Sequence, residues 1–95
     1  MTVTRHLRIS GRVQGVGYRD ALRSEALAKN LSGWVRNRRD GTVEAVLQGD
    51  PAAADAVIAW AHRGPPAARV SEVEVQDASG ELARAYTGFD LLPSA

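Results

Sequence analysis

The stretch of the sequence with the clearest capacity for chemistry is glycine-rich and ends in an arginine: it reads Gly11-Arg12-Val13-Gln14-Gly15-Val16-Gly17-Tyr18-Arg19. Gly15 and Gly17 lack the Cβ atoms that would keep backbone N–H groups away from an anion. If a helix begins here, its first turn supplies unsatisfied N–H donors and a partial positive charge, and Arg19 adds a permanent charge with two parallel donors. The stretch therefore indicates a cradle for a phosphate-like anion. A tight turn followed by a solvated arginine would explain the same residues equally well.

This stretch differs from the two common nucleotide-binding loops. It contains no Gly-Lys-Ser/Thr sequence, which a P-loop requires, and Asp20 stands where the dinucleotide-binding fingerprint has its third glycine. The anion predicted here is therefore bound without either of those motifs.

A second candidate is Asn37, which shortly precedes the pair Asp40-Gly41. Asp-Gly is a strong hairpin signal because the turn needs positive φ, so Asn37 is expected at the end of a strand. Its side-chain carbonyl oxygen could accept a hydrogen bond from water, and its amide could donate to a phosphoryl oxygen. Taken alone, Asn37 is better explained as a residue that shapes the turn.

Periodicity predicts the elements around these residues. Apolar and polar residues alternate from Leu7 to Val13, which indicates a half-buried first strand. A helix is predicted from about Arg19 to Lys29, because apolar side chains recur on one face and Asn30 can adopt a left-handed stop. Two strands follow, from Trp34 to Asn37 and from Thr42 to Leu47. The expected inner face of the helix consists of Tyr18, Ala21, Leu22 and Ala26.

A second helix is predicted from its start and stop signals. Asp50 is placed as the N-cap and Pro51 as the first helical residue, and Gly64-Pro65-Pro66 ends the pattern. The apolar face expected for this helix consists of Ala53, Ala56, Val57, Trp60 and Ala61.

Two more strands complete the pattern and define the fold class. Arg69 to Val75 is expected to be a strand with a bulge at Val70, and a short last strand contains Phe89 and Leu91. The order βαββαβ with a short terminal strand predicts a ferredoxin-like α+β sandwich, a mostly antiparallel sheet with two helices on one face. We expect residues 1–95 to form a single domain. Because this fold hosts unrelated functions, it does not identify the activity.

Composition excludes several classes of function. Cysteine is absent from the 95 residues, which rules out thiolate catalysis, disulfides and sulfur-based zinc sites. The formal net charge of +1 gives no long-range attraction to nucleic acid. The N-terminal residues contain no apolar run long enough for a signal peptide or a membrane span, so we expect a cytoplasmic protein. His6 and His62 have no acidic residue at ligand spacing, so we expect no metal site.

The two candidate regions together resemble a known family. The glycine-rich stretch and a second one, Gly33-Trp34-Val35-Arg36-Asn37-Arg38-Arg39-Asp40-Gly41-Thr42-Val43-Glu44, closely resemble the two signature stretches of the acylphosphatase family. The resemblance extends from about Arg5 to Leu91. Tyr18 stands where the family more often has phenylalanine, and Asn30 stands where glycine is usual. Neither departure replaces a reacting group.

The resemblance implies roles for individual residues. In the family, the arginine of the first stretch binds phosphate and the asparagine of the second orients the attacking water. Those roles make Arg19 and Asn37 the expected catalytic residues. The expected phosphate-binding loop consists of Gln14, Gly15, Val16, Gly17 and Tyr18, completed by Arg19.

The reaction that the resemblance implies is metal-free hydrolysis of the carboxyl–phosphate bond of a small acyl phosphate, by in-line attack of a positioned water. The products are a carboxylate and inorganic phosphate. The leaving carboxylate has a conjugate acid with a pKa of roughly 4, so no general acid has to protonate it. We expect no cofactor, competition by free phosphate or sulfate, and a monomer. We hypothesise that the substrate's own phosphate accepts the proton of the water.

Two other functions are compatible with parts of the sequence. RNA-recognition domains share the predicted fold, and a cluster of arginines lies near Trp34, but the strand from Thr42 to Leu47 lacks the alternating aromatic residues that RNA binding uses. The arginines of this cluster are Arg36, Arg38 and Arg39. The third possibility is a catalytically weak anion-binding domain, like the acylphosphatase-like segment of larger maturation proteins. We favour a stand-alone enzyme that binds no nucleic acid and no membrane.

Overall fold

The computed structural model describes all 95 residues, which form five strands and two α-helices. In chain order, the elements are β1 (Val3–Arg12), α1 (Tyr18–Ala28), β2 (Ser32–Asn37), β3 (Val43–Gly49), α2 (Pro51–Ala61), β4 (Arg69–Asp77) and β5 (Phe89–Leu91), with a short 3₁₀ turn at Gly80–Leu82. The five strands make one sheet in the order β4-β1-β3-β2-β5. All neighbours are antiparallel except β2 and β5. The predicted ferredoxin-like fold is confirmed, and the element bounds differ by a few residues.

The core lies between the sheet and the helices. α1 packs on β2 and β5, α2 packs on β1 and β3, and the two helices contact each other. A cluster of 17 buried residues fills the space between these layers. Neither helix has the length and apolar content needed to span a bilayer. The packing of both helices on the sheet fixes where each helix begins, which is what positions the candidate site.

The C-terminal end of α1 is a Schellman arrangement, and the left-handed stop predicted at Asn30 is confirmed. Asn30 has a φ of 59°, the left-handed conformation that asparagine tolerates best after glycine. The N–H of Leu31 donates to the carbonyl of Ala26 at 2.9 Å, and the N–H of Asn30 donates to that of Leu27 at 3.1 Å. On the inner face, Tyr18, Leu22 and Ala26 are buried as expected, whereas Ala21 is half-buried.

The inner face of α2 was predicted only in part. Val57 and Ala61 are buried as expected, but the structure buries Ala54 and leaves Ala56 exposed. The reason is that this helix is rich in alanine, so the apolar pattern is nearly symmetrical about its axis and fixes no rotation. The other two residues of the expected face, Ala53 and Trp60, are half-buried and pack against the core from its rim.

The bulge predicted at Val70 is confirmed in β4. Ser10 pairs with Glu72, but Gly11 pairs with Val70, so Ser71 is the extra residue. The shift lies in the last residues of β1 before the glycine-rich loop. A bulge of this kind bends the strand pair locally and increases its twist.

Candidate active site

The glycine-rich loop spans residues 13–17, between β1 and α1. Gly15 has a φ of 72° and Gly17 a φ of 79°, so both need the left-handed conformation that glycine adopts freely. A Cβ atom added to either glycine would meet nothing within 4 Å, so this side of the loop faces open space. Val16, between them, packs against the core and anchors the loop. Alternating glycines of this kind are typical of concave arrays of backbone N–H groups that bind anions.

The first turn of α1 is left without a side-chain cap. Gly17 is the N-cap residue, and its carbonyl accepts from the N–H of Ala21 at 3.1 Å. No side chain accepts a hydrogen bond from the first N–H groups of the helix, although Asp20 lies in this turn. These donors therefore have no acceptor in the protein and lie at the positive end of the helix dipole, where an anion is stabilised.

Arg19 lies in this first turn and is half-exposed. Its guanidinium makes no hydrogen bond or ion pair with any protein group, whereas Arg36 and Arg38 are both paired with Glu44. An unpaired guanidinium directly after an uncapped helix start is available to a phosphate or carboxylate group.

Asn37 is the last residue of β2 and pairs with Val43. Its carbonyl accepts from the N–H of Ala95 at 3.0 Å, which holds its backbone from the other side. The side-chain Oδ1 is buried and accepts no hydrogen bond from the protein. A buried acceptor without a partner costs about 1–3 kcal/mol, so it is retained where it has a use.

The turn after Asn37 is organised by Asp40. Its Oδ1 accepts from the backbone N–H of Thr42 at 2.9 Å and from the Thr42 hydroxyl at 2.7 Å. These two hydrogen bonds hold the pKa of Asp40 below its usual range. Gly41 supplies the positive φ, 94°, that the Asp-Gly signal predicts.

Gln14 joins the loop to this hairpin through its side chain. Its Nε2 donates to the carbonyl of Arg38 at 2.7 Å and to that of Thr42 at 2.9 Å. The structure therefore brings the glycine-rich loop and the residues that flank Asn37 to the same edge of the sheet. Gln14 was predicted in the loop from its position in the sequence, but the contacts of its amide were not predicted.

Glu44 lies on the sheet face away from the helices, where it binds side chains near the end of β2. Its Oε1 accepts from Arg36 Nε at 2.8 Å and from Arg38 Nη1 at 3.3 Å, and its Oε2 lies 2.6 Å from His6 Nε2. Burial acts to raise the pKa of Glu44, but hydrogen bonds from His6 and Arg36 outweigh it and lower the pKa. Sequence reasoning missed this cluster. The only signal was the alternation that places Arg36, Glu44 and His6 on one sheet face.

Tyr18, the residue that follows the loop, is buried in the core. Its hydroxyl donates to the carbonyl of Ala61 at 2.7 Å, and its ring centroid lies 5.5 Å from that of Trp60. Burial raises the pKa of Tyr18 above its usual range, so the hydroxyl stays protonated. The polar atom that distinguishes tyrosine from phenylalanine thus has a partner inside the fold, which explains why it is tolerated here.

The larger cavities of the molecule lie elsewhere. The largest, about 740 Å³, is a groove lined by Ala21, Trp60 and Pro65 among others, and none of the cavities is lined by residues 14–17 or Asn37. The candidate site is instead an open loop of backbone donors outside these cavities. No three His, Cys, Asp or Glu side chains are grouped to hold a metal ion.

Comparisons with known proteins agree with this geometry. The family model described as acylphosphatase matches residues 5–91. An acylphosphatase of Thermococcus kodakarensis is 60% identical over 74 residues, which cover 78% of this chain and 81% of that relative. An acylphosphatase of Thiobacillus denitrificans is 51% identical over 87 residues, covering 92% and 93%.

The solved structure of an acylphosphatase from Coxiella burnetii has a TM-score of 0.88 at 34% identity, covering 96% of this chain and 93% of that one. The family match over residues 5–91 contains the glycine-rich loop, the start of α1, and Asn37 with the hairpin that follows it. The chain therefore belongs to the acylphosphatase family, the hydrolases that cleave the carboxyl–phosphate bond of acyl phosphates.

Proposed function

We propose that the loop from Gln14 to Tyr18 and the Arg19 guanidinium bind the phosphoryl group of an acyl phosphate, and that Asn37 orients the water that attacks it. One observation carries the proposal. The uncapped N–H groups of the first turn of α1 and the unpaired Arg19 lie together, at a loop that is open on its anion-facing side. Donors aimed at a developing charge contribute strongly to catalysis because they need no reorganisation during the reaction.

Hydrolysis of an acyl phosphate requires few further groups from the protein. Phosphoryl transfer depends mainly on positioning and on spreading charge over the phosphoryl oxygens. Backbone donors and one arginine can do the second, and a fixed water acceptor can do part of the first. The buried Oδ1 of Asn37, which has no protein partner, supports its assignment as that acceptor.

Neither carboxylate near Asn37, the residue proposed to orient the water, is free to act as general base. Asp40 is engaged by Thr42, and Glu44 is engaged by two arginines and His6. Both carboxylates have lowered pKa values and are weak bases. We therefore propose that a phosphoryl oxygen of the substrate accepts the proton of the attacking water.

The remaining parts of the proposal concern partners and organisation. Free phosphate or sulfate should compete at the cradle, since each presents the same tetrahedral oxygens. We propose one domain over residues 1–95, acting as a monomer in the cytoplasm, without metal or cofactor. The single sheet and its one core cluster support the first of these points.

The alternative of an RNA-binding surface gains no support from the sheet face. Trp34 is only 5% exposed, and the guanidinium of Arg36 lies 4.8 Å from its ring centroid. The same arginine is bonded to Glu44. Neither the ring nor the charge is free to stack on or pair with a nucleotide.

The test of the proposed function is an assay on acetyl phosphate and benzoyl phosphate in metal-free buffer, with and without chelator. We expect release of inorganic phosphate at equal rates in both conditions. Loss of turnover on addition of chelator would contradict the metal-free mechanism. Free phosphate should inhibit competitively and raise the melting temperature, because it binds the native state.

A further inference from the structure

We propose that the side-chain amide of Gln14 is a positioning group, which sets the distance between the phosphate-binding loop and the hairpin that carries Asn37. This inference rests on the proposed function, since it assigns Gln14 to the alignment of water and phosphoryl group. Gln14 touches neither of them through its amide; both of its Nε2 contacts are backbone carbonyls of the hairpin.

The sheet holds Asn37 through its pairing with Val43, but strand pairing reaches neither the loop nor residues 38–42. Pairing between β1 and β3 ends at Ile9 and Val43. Beyond that point β1 pairs only with β4, through Ser10, Gly11 and Arg12. No backbone hydrogen bond joins residues 13–17 to residues 38–42. Backbone hydrogen bonds therefore do not set the spacing between the loop and residues 38–42, and side-chain contacts have to do so.

The Gln14 amide closes this gap with both of its hydrogens. One goes to Arg38 at 2.7 Å and the other to Thr42 at 2.9 Å, so the amide contacts both sides of the hairpin neck. These two residues are themselves paired, since the N–H of Arg38 donates to the carbonyl of Thr42 at 2.8 Å. The three bonds form one rigid unit directly after Asn37. Only an amide of this length supplies two donors on one atom without a charge.

The expected consequence is a loss of alignment with little loss of phosphate affinity. The loop keeps its own anchors, Val16 in the core and the Tyr18 hydroxyl on Ala61, so its donors should stay in place without the amide. The hairpin would keep its internal bonds but shift relative to the loop. A displacement of about 1 Å in a reacting geometry can lower the rate by roughly 100-fold.

The main experiment compares Gln14→Met with Gln48→Met as a matched control. Gln48 also bridges two segments, because its Nε2 donates to the Thr4 hydroxyl at 3.0 Å and to the carbonyl of Arg84 at 2.7 Å, but it lies outside the site. We expect Gln14→Met to lower kcat by roughly 10- to 100-fold, with the phosphate inhibition constant within about twofold of the wild type. Gln48→Met should lower the melting temperature and leave kcat unchanged. A loss of phosphate inhibition in Gln14→Met that matches its loss of kcat would overturn the proposal.

A double variant separates this proposal from the function on which it rests. In an Asn37→Ala background, Gln14→Met should lower kcat by no more than about twofold, because the group that it aligns is already gone. If Asn37→Ala is impaired and the two losses multiply, Gln14 acts independently of Asn37 and the positioning role is wrong. If Asn37→Ala turns over like the wild type, the proposed function itself is wrong.

Gln14→Glu provides a second readout at nearly the same side-chain shape. The introduced carboxylate would face two carbonyl oxygens, so we expect low kcat at neutral pH and partial recovery relative to wild type as acid protonates it. A protonated carboxyl group donates one of the two lost hydrogen bonds. A ratio of variant to wild-type kcat that does not change with pH would count against the bridge. This variant also tests the proposal if Gln14→Met fails to fold.

Discussion

The two helices of this protein share the same first backbone hydrogen bond but differ in what satisfies their other N-terminal N–H groups. In each helix the N-cap carbonyl accepts a hydrogen bond from the N–H of the residue four positions later, which is Ala21 in α1 and Ala54 in α2. In α2 the side chain of Asp50 also accepts from the N–H of Ala52 at 3.2 Å, and Pro51 removes one donor. In α1 the N-cap is Gly17, which has no side chain to offer.

This difference separates stability from binding. The capped helix uses its own carboxylate where an anion would bind, which typically stabilises the fold by about 1 kcal/mol. The uncapped helix forgoes that stabilisation and leaves the same donors to a ligand. The two helix starts therefore let one chain compare the structural and the functional use of a helix N-terminus.

The largest effect that sharpens the comparison is expected from Arg19→Ala. Removing a charge that stabilises the transition state typically lowers the rate by about 10²- to 10³-fold. Because Arg19 should also bind the ground-state phosphoryl group, KM should rise and phosphate inhibition should weaken. The measurements are kcat, KM and the phosphate inhibition constant, with circular dichroism to verify folding.

Arg12→Ala is the matched control, because this substitution also removes one arginine charge from the glycine-rich stretch. Arg12 is exposed and makes no ion pair. Its kinetic constants should change little. Equal losses in the two variants would mean that the net charge of the region matters and that Arg19 has no specific role. Unchanged phosphate inhibition in Arg19→Ala would place the anion site elsewhere.

A smaller effect is expected from making α1 resemble α2. Gly17→Asp puts a carboxylate where the anion is proposed to bind. Charge repulsion should raise the phosphate inhibition constant and lower kcat, each by roughly 10- to 100-fold. Aspartate tolerates the left-handed conformation better than most residues, so the variant should fold. Titration of inhibition by phosphate measures the effect.

Gly88→Asp controls for backbone strain in that experiment. Gly88 has a φ of 71° and open space around it, like Gly17, but it precedes β5 at the far end of β2 from Asn37. The control should be destabilised to a similar degree and keep its activity. If Gly88→Asp lost activity as well, strain rather than charge would explain the result at Gly17.

The parts of the structure that the sequence predicted are those specified locally. Asp50 and Asn30 mark helix ends through contacts with residues within a few positions, and both predictions are confirmed. The glycine-rich loop was recognisable for the same reason, because its conformation depends on Gly15 and Gly17 themselves. The rotation of α2 was not, since alanine on nearly every side carries little information about which face is buried.

Contacts between distant segments could not be predicted. The acceptors of the Gln14 amide lie 24 and 28 residues away, and Glu44 meets His6 across 38 residues. Alternation places Glu44 and His6 on the same sheet face, but it does not give the register that brings them together. The candidate site thus combines a loop that the sequence specifies and a joint that only the folded sheet creates.

The smallest expected effect tests the other helix. Asp50→Ala removes the cap of α2 and should lower the free energy of unfolding by about 1 kcal/mol, which corresponds to a fall in melting temperature of roughly 4–8 °C for a chain of this size. Activity should be unchanged, because α2 contributes no group to the cradle. Phosphate should raise the melting temperature of Asp50→Ala as much as that of the wild type, since the increment in the free energy of unfolding depends only on ligand concentration and affinity.

Asp55→Ala, at an exposed α2 position that makes no capping bond, is the control for loss of charge. Thermal melts of the three proteins with and without phosphate give six melting temperatures and three phosphate shifts, and the acetyl phosphate assay gives the activities. A smaller phosphate shift in Asp50→Ala would mean that the start of α2 takes part in anion binding, and the division of roles between the two helices would then fail.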